Sequence, residues 1–181
     1  MFIYFKEDHI VEQIELDDID LRLLEQLQKD ASLSNLELAQ RVFTSPPTCL
    51  RRVKRLREAG FIAQQIAVLS PDALAPVLGH GLTAIVEITL DRQAAEWLDA
   101  FEHRMLQDEG VQQCYRVSPG PDFVLVVHTR DMPSYHAMAQ RLFTVDANVR
   151  NVKAFFSVKR GKFGAQLPLR QASVTPSVDK S

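Results

Sequence analysis

Residues 34–60 read SNLELAQRVFTSPPTCLRRVKRLREAG, and this stretch decides the fold of the N-terminal part of the chain. Ser34 and Glu37 form the capping-box pattern that begins a helix. Ser45 is placed to cap a further helix, with Pro46 at its first position, where a missing N–H costs nothing. The stretch therefore predicts two short helices joined by a tight turn.

A third helix precedes this pair. Asp17 is its predicted N-cap, and apolar residues follow at helical spacing: Ile19, Leu23, Leu24 and Leu27. In the helix that Ser34 begins, the predicted buried residues are Leu36, Ala39 and Val42. Gly60 ends the last helix, and Phe61 stands where a Schellman turn places an apolar residue. Three helices with a tight turn between the second and third predict a helix-turn-helix.

The charges of this region are unevenly distributed, although the formal net charge of the whole chain is only -2. Acidic residues dominate between residues 15 and 40. Between residues 41 and 58 the single acid is Glu58, against six basic residues: Arg41, Arg51, Arg52, Lys54, Arg55 and Arg57. A local block of one sign indicates a surface that meets a polyanion.

The last helix of the three is predicted to bury a face formed by Cys49, Leu50, Val53 and Leu56. At about 100° per residue, the opposite side carries Thr48, Arg51 and Arg55, flanked by Arg52 and Lys54. Guanidinium groups bond bidentately to guanine or phosphate. We expect double-stranded DNA as the partner, contacted by Ser34, Ser45, Pro46, Pro47, Thr48, Arg51, Arg52, Lys54 and Arg55. A solvated helix face is the alternative interpretation.

The apolar period changes beyond this helix. Residues 61–69 are predicted to form a strand or wing, and a connector follows. Period-two alternation and apolar runs then predict four strands, over residues 82–90, 111–117, 123–129 and 152–158. Amphipathic helices lie between the first and second strands, with Trp97 and Phe101 as core residues, and between the third and fourth. The order β-α-β-β-α-β predicts a ferredoxin-like domain, so the fold class is α+β.

Several stretches resemble the leucine-responsive regulatory protein (Lrp/AsnC) family: LDDID (16–20), LQKD (27–30), LSNLELA (33–39), CLRRVKRL (49–56), GFI (60–62) and VEITL (86–90). The resemblance extends from about Leu16 to Leu169. It implies a transcription regulator with a winged helix-turn-helix and an αβ-sandwich (RAM-type) domain. That domain would bind an amino acid, such as leucine, and form homodimers that assemble to tetramers or octamers. Phe43 stands where the family usually has glycine, at a position that favours positive φ.

The resulting domain prediction has five parts. They are an N-terminal extension over residues 1–15, the winged helix-turn-helix over 16–69, a linker over 70–81, an effector-binding and oligomerisation domain over 82–169, and a flexible tail over 170–181.

Residues Ser118, Pro119, Gly120, Pro121 and Asp122 connect the second and third predicted strands. Proline fixes φ and removes N–H donors, while glycine permits close approach of another group. The residues alone leave two interpretations open. The loop is either a rigid turn in which Asp122 bonds its own backbone, or a contact to a ligand or neighbouring subunit. The resemblance implies the second, with these five residues at the effector site, although the family usually has glycine where Pro119 stands.

Other functional classes are not expected. The composition, 46% apolar and 24% charged, is that of a globular protein. Histidines lack metal-ligand spacing, and the chain has no phosphate loop or paired catalytic carboxylates, so an enzyme, a metal and a cofactor are not predicted. Cys49 and Cys114 lie far apart, and no apolar run approaches the ~20 residues that span a bilayer. We expect a cytoplasmic protein with no membrane partner. A helix-turn-helix that binds protein is the second alternative.

Overall fold

The computed structural model describes residues 15–169, which contacts divide into two units. One unit is Leu69–Lys162. The other, the N-terminal unit, joins the described residues up to Val68 with those from Phe163 onward. The predicted tail and all but Glu15 of the predicted N-terminal extension lie outside the described residues.

The N-terminal unit contains three helices, α1 (Asp18–Lys29), α2 (Asn35–Val42) and α3 (Pro46–Glu58). The three predicted N-caps are confirmed. Asp17 accepts hydrogen bonds from backbone N–H groups of α1. The Ser34 N–H donates to Glu37 Oε2 over 2.8 Å, and the Thr48 N–H donates to Ser45 Oγ over 3.4 Å. These bonds satisfy N–H groups that have no partner inside a helix, and so they fix where each helix begins.

The core of this unit consists of Leu23, Leu38, Ala39, Val42, Cys49 and Leu56. Two predicted core residues are wrong: Leu36 is 57% exposed and Leu50 is 61% exposed. In α2, Leu38 fills the place expected for Leu36. In α3 the fully buried side chains lie seven residues apart, at Cys49 and Leu56, with Val53 partly buried between them. Three short helices bury only a narrow stripe of each helix, and Leu50 lies outside the stripe of α3.

The turn between α2 and α3 places Phe43 in the left-handed conformation, with φ 58° and ψ 50°. The Thr44 N–H donates to the carbonyl of Ala39 over 3.0 Å, and the Phe43 N–H to that of Gln40 over 3.3 Å. This is the Schellman pattern, which glycine usually completes. The expectation that this position needs positive φ is confirmed, and the Phe43 side chain is 87% exposed.

Gly60 ends α3 as predicted, with φ 80°, and the Phe61 N–H donates to the Leu56 carbonyl over 3.0 Å. Residues 63–69 belong to no helix or strand, so no strand forms in the region predicted as a strand or wing, residues 61–69. Ile66 and Val68 are exposed. A strand needs a neighbour for its backbone N–H and C=O groups, and none of the strands within residues 15–169 pairs with this segment.

The predicted linker contains a further short helix, α4 (Pro71–Leu78). Ser70 accepts a hydrogen bond from the Ala73 N–H over 3.3 Å, and Pro71 occupies the first helical position. This is the same signature as Ser45 and Pro46, and it makes part of the predicted linker helical. Pro76 obscured the pattern because proline normally interrupts a helix interior.

The other unit is built on four strands, β1 (Leu82–Leu90), β2 (Val111–Arg116), β3 (Phe123–Thr129) and β4 (Val149–Phe156). Helix α5 (Ala95–Leu106) follows β1, and α6 (Met132–Ala139) follows β3 and continues into one π-helical turn, Gln140–Thr144. The sheet order is β2-β3-β1-β4, and all neighbours are antiparallel. The ferredoxin-like prediction is confirmed. The last strand lies earlier than predicted, ending at Phe156 and leaving Val158 fully exposed.

One face of the sheet carries the core. Alternate β1 and β3 residues are buried there with residues from α5, α6 and the π-helical turn. Phe101 is buried as predicted, but Trp97 is 37% exposed, so its prediction as a core residue is wrong. The Arg92 guanidinium lies 4.9 Å from the centroid of the Trp97 ring. An aromatic ring beneath a cation is stable at the surface, which explains the exposed position.

The opposite face of the sheet is not covered by any element of its own unit within the described residues. Ile85, Tyr115 and Phe155 are 45%, 52% and 44% exposed. Ile85 pairs with Phe155 on β4 and with Val126 on β3, so apolar side chains lie side by side across adjacent strands. Val124 of β3 pairs with Tyr115 of β2. We call the surface formed by Ile85, Tyr115, Val124 and Phe155 the open sheet face.

The chain returns to the N-terminal unit after β4. The Leu167 N–H donates to Gln28 Oε1 over 2.9 Å, and Gln28 Nε2 donates to the Leu167 carbonyl over 2.9 Å. Residues 163–169 were predicted to belong to the effector domain, yet they pack with α1. The side-chain amide of Gln28 thus donates one hydrogen bond to the Leu167 backbone and accepts one from it, as the backbone of a neighbouring strand would. Within residues 15–169, no helix has the length and apolarity needed to cross a membrane.

Candidate nucleic-acid interface and ligand loop

The N-terminus of α3 is held by α2 and by its own cap. Asn35 Nδ2 donates to the Pro46 carbonyl over 2.9 Å, which joins the first turns of the two helices. The Ser45 hydroxyl donates to Thr48 Oγ1 over 2.8 Å, and the Ser34 hydroxyl donates to Glu37 Oε2 over 2.6 Å. Three of the predicted DNA-contact residues, Ser34, Ser45 and Thr48, are therefore engaged in capping bonds that fix the start of each helix.

The outward direction of α3 follows from its two fully buried residues, Cys49 and Leu56. At about 100° per residue, Pro47 lies within about 10° of the direction opposite to them, and Arg51 and Lys54 each lie about 30° from it. The sequence-based estimate counted Leu50 as buried and centred the outward side between Arg51 and Arg55. Its outward direction was therefore wrong by about 40°.

Two cations on the outward side are available for other contacts. Arg51 is exposed and has no ion pair among residues 15–169. Lys54 Nζ lies 3.7 Å from Glu58 Oε1, and both side chains are well exposed, at 73% and 66%. An exposed pair at that distance contributes little and gives way to another anion. The outward side of α3 is therefore positively charged at its second and third turns.

Arg52 and Arg55 are directed towards α1 instead. Arg52 Nη1 lies 2.7 Å from Asp17 Oδ2 and 2.9 Å from Asp20 Oδ1, and Arg55 Nη2 donates to Asp20 Oδ2. The Asp20 side chain is only 1% exposed. Two predicted DNA-contact residues thus hold α3 against α1. The pattern that would have revealed this is the position of Asp20, three residues before the buried Leu23 on the inward stripe of α1.

Hydrogen bonds and ion pairs in this cluster shift the pKa values of Asp17 and Arg52. The backbone N–H of Asp20 and then the Arg52 guanidinium lower the pKa of Asp17. The carboxylates of Asp20 and then Asp17 raise the pKa of Arg52. The Asp17–Arg52 pair therefore remains charged at neutral pH. The guanidinium groups of Arg52 and Arg55 are matched by the carboxylates of Asp17 and Asp20. The positive potential of α3 comes mainly from the side chains outside this cluster.

The loop between β2 and β3 is exposed from Ser118 to Gly120. Gly120 has φ 122°, and a Cβ built on it would meet nothing within 4 Å. The peptide bond between Ser118 and Pro119 is cis. The loop is therefore open to solvent at Gly120.

Asp122 fixes the base of this loop. Its Oδ2 accepts a hydrogen bond from the Leu90 N–H over 2.7 Å, and its own N–H donates to the Ile88 carbonyl over 2.8 Å. The Val117 N–H donates to the Asp122 carbonyl over 3.0 Å. Asp122 thus bonds mainly to the neighbouring strand β1, an arrangement that neither sequence interpretation included. In the part of the chain that the structure describes, no group of three His, Cys, Asp or Glu residues is placed to hold a metal ion.

A three-helix unit with a cationic outward helix, joined to a ferredoxin-like domain, defines a DNA-binding regulator with a separate ligand-binding domain. The sequence matches the models for "Winged helix-turn-helix DNA-binding" over residues 16–63 and for "Lrp/AsnC ligand binding domain" over residues 83–167. The chain belongs to the Lrp/AsnC family of transcription regulators, which are not enzymes.

Its relatives include an HTH-type transcriptional regulator of Haemophilus influenzae, 38% identical over 141 residues, which are 78% of this chain and 82% of the relative. The leucine-responsive regulatory protein of Rhizobium meliloti is 34% identical over 160 residues, 88% of this chain and 100% of the relative. Among solved structures, a transcriptional regulator of Neisseria meningitidis in complex with L-Met matches with a TM-score of 0.75 and 30% identity, over 86% of this chain and 97% of that one.

Proposed function

We propose that the outward side of α3 binds the major groove of double-stranded DNA, with Arg51 as the principal base or phosphate contact and Lys54 beside it. The observation that carries this proposal is the exposed Arg51, which has no ion pair among residues 15–169 and lies on the side of α3 opposite Cys49 and Leu56. Pro46 and Pro47 have no backbone N–H to offer a phosphate, and the Thr48 N–H already donates to Ser45 Oγ, so the proposed contact depends on side chains. Arg52 and Arg55 act as positioning residues, because their guanidinium groups hold α3 on α1.

The test is a gel-shift titration of Arg51→Ala on a DNA fragment from upstream of the protein's own gene, at several salt concentrations. Loss of one phosphate contact lowers the salt slope of log K by about 1, and loss of a guanine contact costs about 1–3 kcal/mol. Lys29→Ala is the matched control, since it removes one cation from α1, where Lys29 only pairs with Glu25. Unchanged affinity and slope for Arg51→Ala, with the fold intact, would refute the assignment.

We further infer that the effector is an amino acid, leucine or one of similar size, bound against Ser118, Pro119, Gly120, Pro121 and Asp122. The Neisseria meningitidis relative was solved with L-Met, and the loop of this chain is open on one side. Pro119 and Pro121 have no N–H to offer, so Ser118 and the Gly120 backbone supply the polar contacts. An effector changes DNA affinity only to the extent that it binds more tightly to one of two states of the protein, the state that binds DNA well or the state that binds DNA poorly.

A thermal-shift screen of the twenty amino acids tests the effector proposal. One or a few should raise the melting temperature, and Ser118→Ala should reduce the increase. Ser157→Ala, in the same unit but outside the loop, should not. A flat screen contradicts an amino-acid effector.

We also propose self-association through the open sheet face, as a homodimer that assembles to a tetramer or octamer. Ile85, Tyr115, Val124 and Phe155 form an apolar surface that a second copy would bury symmetrically. Ile85→Glu should shift the mass measured by light scattering towards the monomer, whereas Val145→Glu, at an exposed apolar residue outside the sheet, should not. A wild-type monomer at micromolar concentration contradicts this proposal.

Because DNA is the proposed target, we also propose that the protein is located in the cytoplasm.

A further inference from the structure

Leu50 is an exposed apolar residue among the polar and cationic residues of α3. It lies in the fifth position of Pro46–Glu58 and is 61% exposed. Its direction is about 70° from the outward axis of the helix, on the side away from Arg55. It is therefore on the same half of α3 as Arg51 and Lys54.

Within residues 15–169, no packing contact accounts for leucine at this position. Leu50 is absent from the core of the N-terminal unit and from the partly buried residues packed against it. By contrast, Cys49 and Leu56 are completely buried, and Val53 packs against them. A polar residue would serve an exposed helix position equally well, so the side chain is available for an intermolecular contact.

A leucine side chain neither donates nor accepts hydrogen bonds. Among the groups that the base edges present in the major groove, the apolar one is the C5-methyl of thymine. Residues in the N-terminal half of a recognition helix are those that reach base edges. We propose that Leu50 is a specificity-determining residue that contacts a thymine methyl, at a base pair next to the one read by Arg51. This inference rests on the proposed DNA-binding function of α3.

The first measurement is selection from a double-stranded DNA library with 25 randomised base pairs (about two helical turns), using the full-length wild type, Leu50→Ala and Leu50→Gln. The wild type should enrich a site with a fixed thymine. Leu50→Ala should lose the preference at that base pair while keeping the rest of the site. Leu50→Gln should change the preference to adenine, which a glutamine side chain reads through N6 and N7.

The second measurement uses the wild-type site with deoxyuridine in place of that thymine, which removes only the methyl group. Wild-type affinity should fall roughly fourfold, the factor for burying one methylene-sized apolar group. Leu50→Ala should bind both versions equally. Because Leu50 is exposed, its variants should unfold at the wild-type temperature.

The outcomes distinguish failure of the proposed role of Leu50 from failure of the proposed DNA binding by α3. If the wild type enriches a site and Arg51→Ala weakens binding, but Leu50→Ala selects an unchanged sequence and deoxyuridine costs nothing at any position, then the role of Leu50 is overturned and DNA binding stands. If the wild type enriches no sequence, the proposed function fails and the inference fails with it.

Discussion

Arg52 of α3 donates to the buried carboxylate of Asp20 in α1 over 2.9 Å, and Asp17 Oδ2 accepts from the same nitrogen over 2.7 Å. Asp20 also accepts from Arg55. The angle at which the outward side of α3 meets a partner is thus fixed by a charged contact between two helices. The same contact engages Arg52 and Arg55 in ion pairs, so the proposed DNA contact falls mainly to Arg51 and Lys54. We expect changes at Asp20 to affect both stability and DNA binding.

Asp20→Asn should destabilise the N-terminal unit strongly. The variant leaves Arg52 with a weaker acceptor, and removing one partner of a buried ion pair costs about 3–5 kcal/mol. Because the Arg55 side chain is partly exposed, we expect the loss of unfolding free energy to lie at the lower end of this range, about 3 kcal/mol. Urea unfolding followed by circular dichroism measures the change. Asp18→Asn, also in the first turn of α1 but outside the ion-pair cluster, is the control and should change stability by less than about 1 kcal/mol.

Phe43→Gly should stabilise the protein. A non-glycine residue in the left-handed region costs roughly 1–2 kcal/mol, whereas glycine adopts it freely but loses about 0.5–1 kcal/mol through the greater freedom of the unfolded chain. The net expected gain is about 0.5–1 kcal/mol, because the exposed ring makes no compensating core contact. Phe43→Asn should also stabilise and Phe43→Val should destabilise. Melting temperatures in any other order would show that strain at this turn does not govern stability.

Gln28→Ala should free residues 163–169 from α1. The variant removes both the acceptor of the Leu167 N–H and the donor to the Leu167 carbonyl. Hydrogen exchange at the Leu167 amide should become roughly tenfold faster, since protection depends on that bond. Gln26→Ala, in the same helix, provides the comparison. Equal exchange in the wild type and Gln28→Ala would mean that the segment is held by other contacts.

Asp131 makes stability depend on pH in the acidic range. The Ser134 hydroxyl, and then its backbone N–H and Arg130, lower the pKa of Asp131 to about 2, below its ordinary value of 3.8. A carboxyl with a depressed folded-state pKa stabilises the fold above its unfolded-state pKa, and this contribution is lost as the pH falls towards 2. The stability difference between wild type and Asp131→Ala should therefore be constant above about pH 5 and shrink between pH 4 and 2. Fluorescence of Trp97 follows the unfolding of this unit, and a difference that grows on acidification would contradict the expected sign.

Local patterns in the sequence predicted much of the fold. Features that depend on interactions within a few residues are determined by the local sequence. They include the caps at Asp17, Ser34 and Ser45, the turn at Gly60 and the alternation of β1. The resemblance of residues 16–20, 33–39 and 49–56 to the Lrp/AsnC family likewise depends on the sequence alone.

The same reasoning failed where the partner is distant in the chain. Leu50 and Trp97 were assigned to the core because helical spacing gives the period of an apolar stripe but not its width. Residues 61–69 are mostly apolar and were predicted to form a strand or wing, but a strand also needs a neighbour. Residues 163–169 carried no pattern that pointed to Gln28.

The sequence by itself determined that a cationic helix follows a capped turn, and that a βαββαβ domain follows it. Only the tertiary structure decided which cations remain available, because the pairing of Arg52 and Arg55 with Asp20 bridges residues more than thirty positions apart. Helical periodicity is a property of the backbone, whereas the choice between an ion pair and a free cation depends on which helix lies opposite, and that is set by packing.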